Sequence, residues 1–414
     1  MICARRLALL AALLLAASSG PARANEYTKP NVRAVTAFVR IDPAEPRRQL
    51  APALAVLRAA RSEFAKQGYP VQTLRVVTQP LAELVSGRSD ADVLALLNEL
   101  DGLAAQDGFV INVGPAMLRD ADDPRAMRLL AQGLSSLERI SGSSIIADAT
   151  GIQRRVIRES AALLRYVTDH SPGSRGNFNF TAMAMMQPYG PFFPGTYHVG
   201  AGKQFSVGFE SANVVQQVFA HTRGDGDAAA KELAAQLTIH AKAAAAVGQQ
   251  VAAATSWTFM GLDSSPAPLA DVSIGAAIES YTGARFGSSG TLSAALAITT
   301  AVRSLPVKLV GYSGLMLPVM EDKVLARRWA EDAFDIDSVL AYSAVCGTGL
   351  DTVPLPGDIS EEQLARIFGD VAALASKWSK PLSARLLPMK GKRPGEQTDF
   401  SGEYLFNTKL RALP

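Results

Sequence analysis

Cysteine is almost absent from these 414 residues: Cys3 and Cys346 are the two the sequence holds. If Cys3 belongs to a cleaved leader, Cys346 has no partner within the chain, which excludes an internal disulfide. CxxC, HExxH and GxSxG are missing too, so dithiol redox chemistry, the metalloprotease zinc helix and the hydrolase nucleophile elbow have no sequence support. The formal net charge is +3, and no dense Lys/Arg stripe interleaved with aromatics occurs, which argues against nucleic acid as a partner. Past the amino terminus no uninterrupted apolar run approaches the roughly 20 residues of a membrane span. No 20- to 50-residue period points to a repeat array. No Pro/Ser/Gly linker divides the chain, which reads as one domain over 25–414.

What is present begins with a leader-like start. Arg5 and Arg6 precede an apolar run from Leu7 to Ala17, then small residues and Ala22-Arg23-Ala24. This is the layout of a secretory signal peptide over 1–24, with cleavage before Asn25 and a periplasmic or secreted destination. A thiol kept in an oxidising compartment must be sheltered or used.

Strand and helix patterns then alternate. "VRAVTAFVRI" reads as a strand and "QLAPALAVLRAARSEFAKQGYP" as a helix stopped by Gly68 and Pro70. "QTLRVVTQPL", "GFVINVG" and "SSIIADA" continue the strands, with helices between them. The alternation predicts an α/β fold. A long segment rich in aromatics, methionine, glycine and proline follows from Asn177, then an Ala-rich helix over about 227–254. "WTFMGLD" and "VKLVGYSGLMLPV" read as later strands, and Ser360 with Gln363 forms a capping box for a final helix. The Ala- and Gly-rich helices allow packing into a homo-oligomer without requiring it.

Four segments place glycine and a polar group just after a strand: "GTYHVGAG", "GLDSSPAP", "GYSGLMLPVMED" and "CGTGLDTVPLPGD". Such junctions at strand carboxyl ends line the ligand crevice of α/β folds. Candidate catalytic groups are therefore Cys346, His198, Asp263 and Asp351. Cys346 reads equally as an inert core thiol, Asp263 and Asp351 as Asx-turn carboxylates, and a lone histidine is weak evidence. Candidate ligand-binding positions are Gly200, Gly202, Ser264, Ser265, Gly287, Gly290, Gly347 and Gly349. The "GSSG" turn at Gly287–Gly290 could cradle an anion ahead of a helix. Glu321 and Asp322 read as a helix start. His170, His221 and His240 read as surface or packing residues, and neither a cofactor nor a metal is identified.

Taken in order, "VRAVTAFV", "GTYHVGAGKQFSVGFES", "GLDSSPAP", "GSSGTLSAALAIT", "GYSGLMLPVMED" and "CGTGLDTVPLPGD" resemble the domain-of-unknown-function 711 family, also labelled uncharacterised protein family 0210. That family is similar in fold to the pyruvate formate-lyase-like glycyl radical enzymes. The resemblance implies a single large α/β barrel around a central cavity, with Cys346 on the loop inside it. The radical motif is missing near the carboxyl terminus, where "GEQTDFSGEY" stands.

The resulting expectation is an exported barrel enzyme acting on a small polar metabolite. Cys346 would be nucleophile or acid, His198 general base, and Asp263 and Asp351 orienting groups. The alternatives are a non-catalytic periplasmic small-molecule binder and a structural protein with a filled barrel.

Overall fold

The computed structural model describes residues 27–269, 271–402 and 404–413. The leader expected over 1–24 lies outside them. Ten strands form one sheet: β1 (Asn31–Val39), β2 (Val71–Val77), β3 (Val110–Pro115), β4 (Ile140–Asp148), β5 (Gly151–Ile152), β6 (Phe180–Ala184), β7 (Gly202–Glu210), β8 (Thr258–Asp263), β9 (Gly349–Pro356) and β10 (Leu382–Met389). The order is β8-β7-β1-β2-β3-β4-β6-β10-β9, with the short β5 returning onto β4. β1, β2, β3, β4 and β6 run parallel. β7 turns antiparallel to β1 and carries β8 parallel to itself, and β10 turns antiparallel to β6 and carries β9 likewise. The α/β reading therefore holds as a mixed sheet whose hydrogen-bonded path ends at β8 and β9.

Period-2 alternation divides the sheet into an outer and an inner face. In β1, Val32, Val35, Ala37 and Val39 join the main hydrophobic cluster, together with Leu50, Ala53, Leu57 and Phe64 of helix Pro46–Lys66. The same alternation sends Leu74 and Val76, Ile111 and Val113, and Leu382, Ala384 and Leu386 outward. Left facing inward are Arg75, Asn112, Ser141, Thr181, Ser383 and Arg385, a buried polar set whose enclosure costs free energy wherever its donors and acceptors are not paired. Between Val32 and Ala34 the β1–β7 register slips by one residue, so Arg33 is an extra residue on β1. A bulge of this kind re-aims a side chain, and Arg33 joins the inner set.

Helix ends follow the sequence closely. Ser89 and Asp92 form a capping box for Asp90–Asp107, which stops at Gly108 in the left-handed region, and Ser360 and Gln363 do the same for Glu361–Trp378. Asp322 caps Lys323–Ala330 as expected. No helix among the described residues is long and apolar enough to cross a membrane.

One strand expectation fails. The run "VKLVGYSGLMLPV" is not continuous strand: it touches β8 through a bridge at Leu309 and β9 through a bridge at Pro318. Between those points the chain turns through left-handed Gly311 (φ 67°) and Ser313 (φ 44°). The cause is Asp263, whose carboxylate draws the amides of Tyr312 and Ser313 inward, at 2.8 and 3.2 Å, and off any ladder.

Candidate functional site

The described residues enclose a cavity of about 420 Å³ against the inner face, over the starts of β2, β3, β4 and β6 and the inner sides of β9 and β10. The crevice expected at the carboxyl ends of the strands is not where this cavity lies; it sits at the amino ends of the parallel strands. Its floor is apolar, from Phe192, Ala267, Tyr312 and Met316, and its walls carry Arg33, Arg75, Arg139, Arg385, Glu138, Glu321 and Asp351.

Most of these charges are arranged as a chain. Arg33 lies 3.8 Å from Glu210 and 3.6 Å from Glu321. Arg385 donates to Glu321 through Nη2 and to Asp351 through Nε, the latter at 2.6 Å, with its guanidinium 4.6 Å from the Phe178 ring centre. Burial alone would lower the Arg385 pKa, but Asp351 and Glu321 hold it above the usual arginine value. Burial raises Glu210 against the pull of Arg33.

Arg75 stands outside this chain. Its side chain is 7% exposed. Nε donates to Thr73 Oγ1 at 3.1 Å and Nη1 to the Pro191 carbonyl at 3.3 Å, while the guanidinium lies 5.1 Å from the Phe193 ring centre. Among the described residues no carboxylate pairs with it and Nη2 has no partner. Burial first, then repulsion from Arg33 and Arg385, against a smaller pull from Glu321, pushes its pKa down to about 9, so it remains a cation at neutral pH. A charge out of water is normally paired, because an isolated one costs several kcal/mol.

Of the expected catalytic groups, Asp351 alone lines the cavity, and its Oδ1 is taken by Arg385. Cys346 is fully buried in the main core with Sγ 3.8 Å from Ser343 Oγ. His198 is also buried, its Nε2 paired with the Val39 carbonyl at 2.8 Å, and burial lowers its pKa. Asp263 accepts from the Ser265 amide and hydroxyl as well as the amides of Tyr312 and Ser313, the Asx-turn reading extended to a second segment. Cys346, His198 and Asp263 do not line the cavity that holds Asp351.

The expected ligand-binding positions behave similarly. Gly347 packs on the backbone of Gly314, which a Cβ would meet at 2.6 Å. Gly202, Gly287 and Gly349 press on backbone at Arg40, Ala333 and Ser383. Ser265 donates to Asp263 and accepts from the Gly314 amide, and Ser264 is buried beside it. Gly200 is exposed, and Gly290 caps helix Thr291–Arg303. None of the eight lines the cavity. Among the described residues no three His, Cys, Asp or Glu side chains converge as metal ligands.

The residues overlooked in the sequence are the strand arginines. "TLRVV" and "SARLLPM" each place one arginine in an otherwise apolar strand. A side chain that long and charged inside a buried strand is the available signal, since Arg is almost never fully buried unpaired.

Comparisons with known proteins agree with the ordered motifs. The family described as Uncharacterised ACR (DUF711) matches residues 25–401. A UPF0210 protein of Pyrobaculum arsenaticum is 31% identical over 368 residues, covering 84% of this chain and 80% of the relative. Another from Pyrobaculum aerophilum is 32% identical over 378 residues, covering 86% and 82%. One from Listeria monocytogenes is 25% identical over 366 residues, covering 84% and 80%. A solved anaerobic ribonucleotide reductase aligns with a TM-score of 0.42 at 8% identity, over 86% of this chain and 70% of that one.

These findings correct the expectation of an exported enzyme or periplasmic binder built on a signal peptide and a Cys/His/Asp cavity. The relatives, from archaea and Listeria, bear a family label that names neither export nor an activity. The chain belongs to the uncharacterised DUF711 family, whose proteins are also named UPF0210.

Proposed function

We propose that this chain binds a small anionic molecule, through a carboxylate or phosphoryl group, in the arginine-walled cavity. The observation that carries the reading is Arg75: a buried cation facing a cavity, with no carboxylate paired to it among the described residues and with repulsion from two further arginines that the smaller pull of Glu321 does not offset. An anion on Nη2 and the free proton of Nη1 supplies the missing charge, and the planar fork of arginine suits two-point contact with either group. The Arg33–Glu321–Arg385–Asp351 chain holds the wall in place, and Tyr312, bonded to Ser383 at 2.9 Å, closes the floor.

We infer also that the sheet curls into a single barrel domain around this cavity. What supports it is that one segment, 309–318, bridges both end strands, β8 at Leu262 and β9 at Asp351.

The test is thermal unfolding of the purified protein with phosphate, acetate and citrate at constant ionic strength, beside an Arg75→Met variant. Wild type should gain about 2.7 kcal/mol of stability at a hundredfold excess of a bound anion over its Kd. The variant should lose that response. Without ligand it should be more stable than wild type by about 1–2 kcal/mol, since an unpaired buried charge is removed. Absence of a shift with every anion, or an equal shift in Arg75→Met, rejects the reading.

A further inference from the structure

The sheet register sets a second cation beside Arg75. Arg75 of β2 pairs with Val110 of β3, and Ile111 of β3 pairs with Ile140 of β4. The row therefore runs Arg75, Val110, Arg139, the last held by the Ile111 amide on its carbonyl at 3.0 Å. Ile111 and Ile140 both pack in the outer core, so their neighbours Val110 and Arg139 face inward with Arg75. All three line the cavity, Arg75 buried and Arg139 half-buried at the rim.

Arg139 has neither a hydrogen bond nor an ion pair from its guanidinium among the described residues. The carboxylate adjacent in sequence, Glu138, is engaged by Arg175 at 2.9 Å. Two strand spacings separate Arg75 from Arg139, about 9.5 Å at the backbone. The acidic groups that line the cavity all have other partners: Glu138 has Arg175, Glu321 has Arg33 and Arg385, and Asp351 has Arg385. One row of one face thus offers two cations with unused donors, an inner and an outer one, separated by the apolar Val110.

We infer that the ligand carries two anionic groups joined by a short spacer, the inner one held by Arg75 and the outer one by Arg139. The inference rests on the anion-binding reading, and it narrows the ligand class to dicarboxylates, bisphosphates or molecules with one group of each kind. The spacer crosses Val110, so an apolar or neutral linker fits better than a charged one.

Titration calorimetry on the full chain decides it, with adipate against hexanoate and fructose 1,6-bisphosphate against fructose 6-phosphate as probes, in wild type, Arg75→Met and Arg139→Gln. The expected result is at least tenfold tighter binding of one doubly charged probe than of its singly charged partner. Arg139→Gln should bring the doubly charged probe down to the singly charged level and leave the singly charged probe unchanged. Malonate, glutarate and suberate should give a maximum at an intermediate length. Equal binding of the members of each pair, or a preference that survives in Arg139→Gln, overturns the two-anion ligand while leaving anion binding at Arg75 intact. Binding that is absent for every probe, or indifferent to Arg75→Met, overturns both.

Discussion

Asp263 and Arg75 are both buried charges on the inner face of the same sheet, and they are treated in opposite ways. Asp263 receives four donors from two segments: the amide and hydroxyl of Ser265 and the amides of Tyr312 and Ser313. Arg75 receives two neutral acceptors and two repelling arginines, offset only in part by the pull of Glu321. A charge whose lone pairs or protons are used up by the protein is part of the architecture, since it fixes the backbone around it. A charge left short marks where something from outside is expected. Sequence motifs point to the first kind more readily than to the second, because saturating a carboxylate with backbone amides requires the glycine- and serine-rich turns that look like ligand loops.

The comparison breaks most severely at Asp263. Replacing it with Ala leaves three amides and a hydroxyl without their acceptor and frees the 309–318 segment that touches β8 and β9. At 1–3 kcal/mol for each stranded donor, partly relieved by water, Asp263→Ala should cost about 4 kcal/mol in urea denaturation at neutral pH. Burial raises the Asp263 pKa to about 6, opposed by its hydrogen bonds. A carboxyl raised in the folded state contributes stability that is full below its ordinary value near 4 and is lost as the pH climbs through 6. The gap between wild type and variant should therefore be wider at pH 4.5 than at pH 7.5, by about 2 kcal/mol. A gap that widens with rising pH would mean that the four donors outweigh burial.

Next in size is Gly347, which separates packing from binding in the "CGTG" turn. Its backbone crosses that of Gly314, so that a Cβ would fall 2.6 to 2.8 Å from three Gly314 atoms, and its amide donates to the Leu315 carbonyl at 2.7 Å. Main chain cannot swing aside as a side chain does, so Gly347→Ala should cost about 2 kcal/mol and shift the chemical denaturation midpoint. Anion affinity in the folded variant should be close to wild type. A variant of native stability that lost anion binding would return this turn to the ligand site.

Much of the fold was legible because the signals are local. The β1–β4 alternation, the Ser360 capping box and the Asp322 cap depend on residues within a few positions of one another. The interruption at Gly311–Ser313 was not, because its cause is a carboxylate 49 and 50 positions upstream. The cavity was hidden for a related reason. Arg33 is inward only because a register slip against β7, some 175 residues on, makes it an extra residue. Arg139 gains meaning only from the row it shares with Arg75 across β3. Asp351 was identified and does line the cavity, but the arginine that occupies it, Arg385, lies a strand away in sequence order and beside it in space.

The smallest effect tests the thiol. Cys346 has no solvent exposure, its Sγ reaches Ser343 Oγ at 3.8 Å, and nearby Lys380 spends its ammonium on the Ser343 carbonyl at 2.7 Å. Burial pushes Lys380 down to about 8, with the Cys346 sulfur pulling the other way, so the two sit close enough to interact. A sheltered thiol in a close-packed core behaves as a small apolar side chain. Cys346→Ala should lose about 1 kcal/mol, the value of one small buried group, and leave anion binding unchanged. Native Cys346 should resist alkylation at pH 7 and react only at the rate of chain opening, whereas the urea-unfolded chain reacts at once. Rapid labelling of the folded protein, or weaker anion binding in Cys346→Ala, would put the cysteine back into the chemistry and tie the "CGTG" turn to the arginine cavity through its neighbour Thr348, which lines the cavity wall.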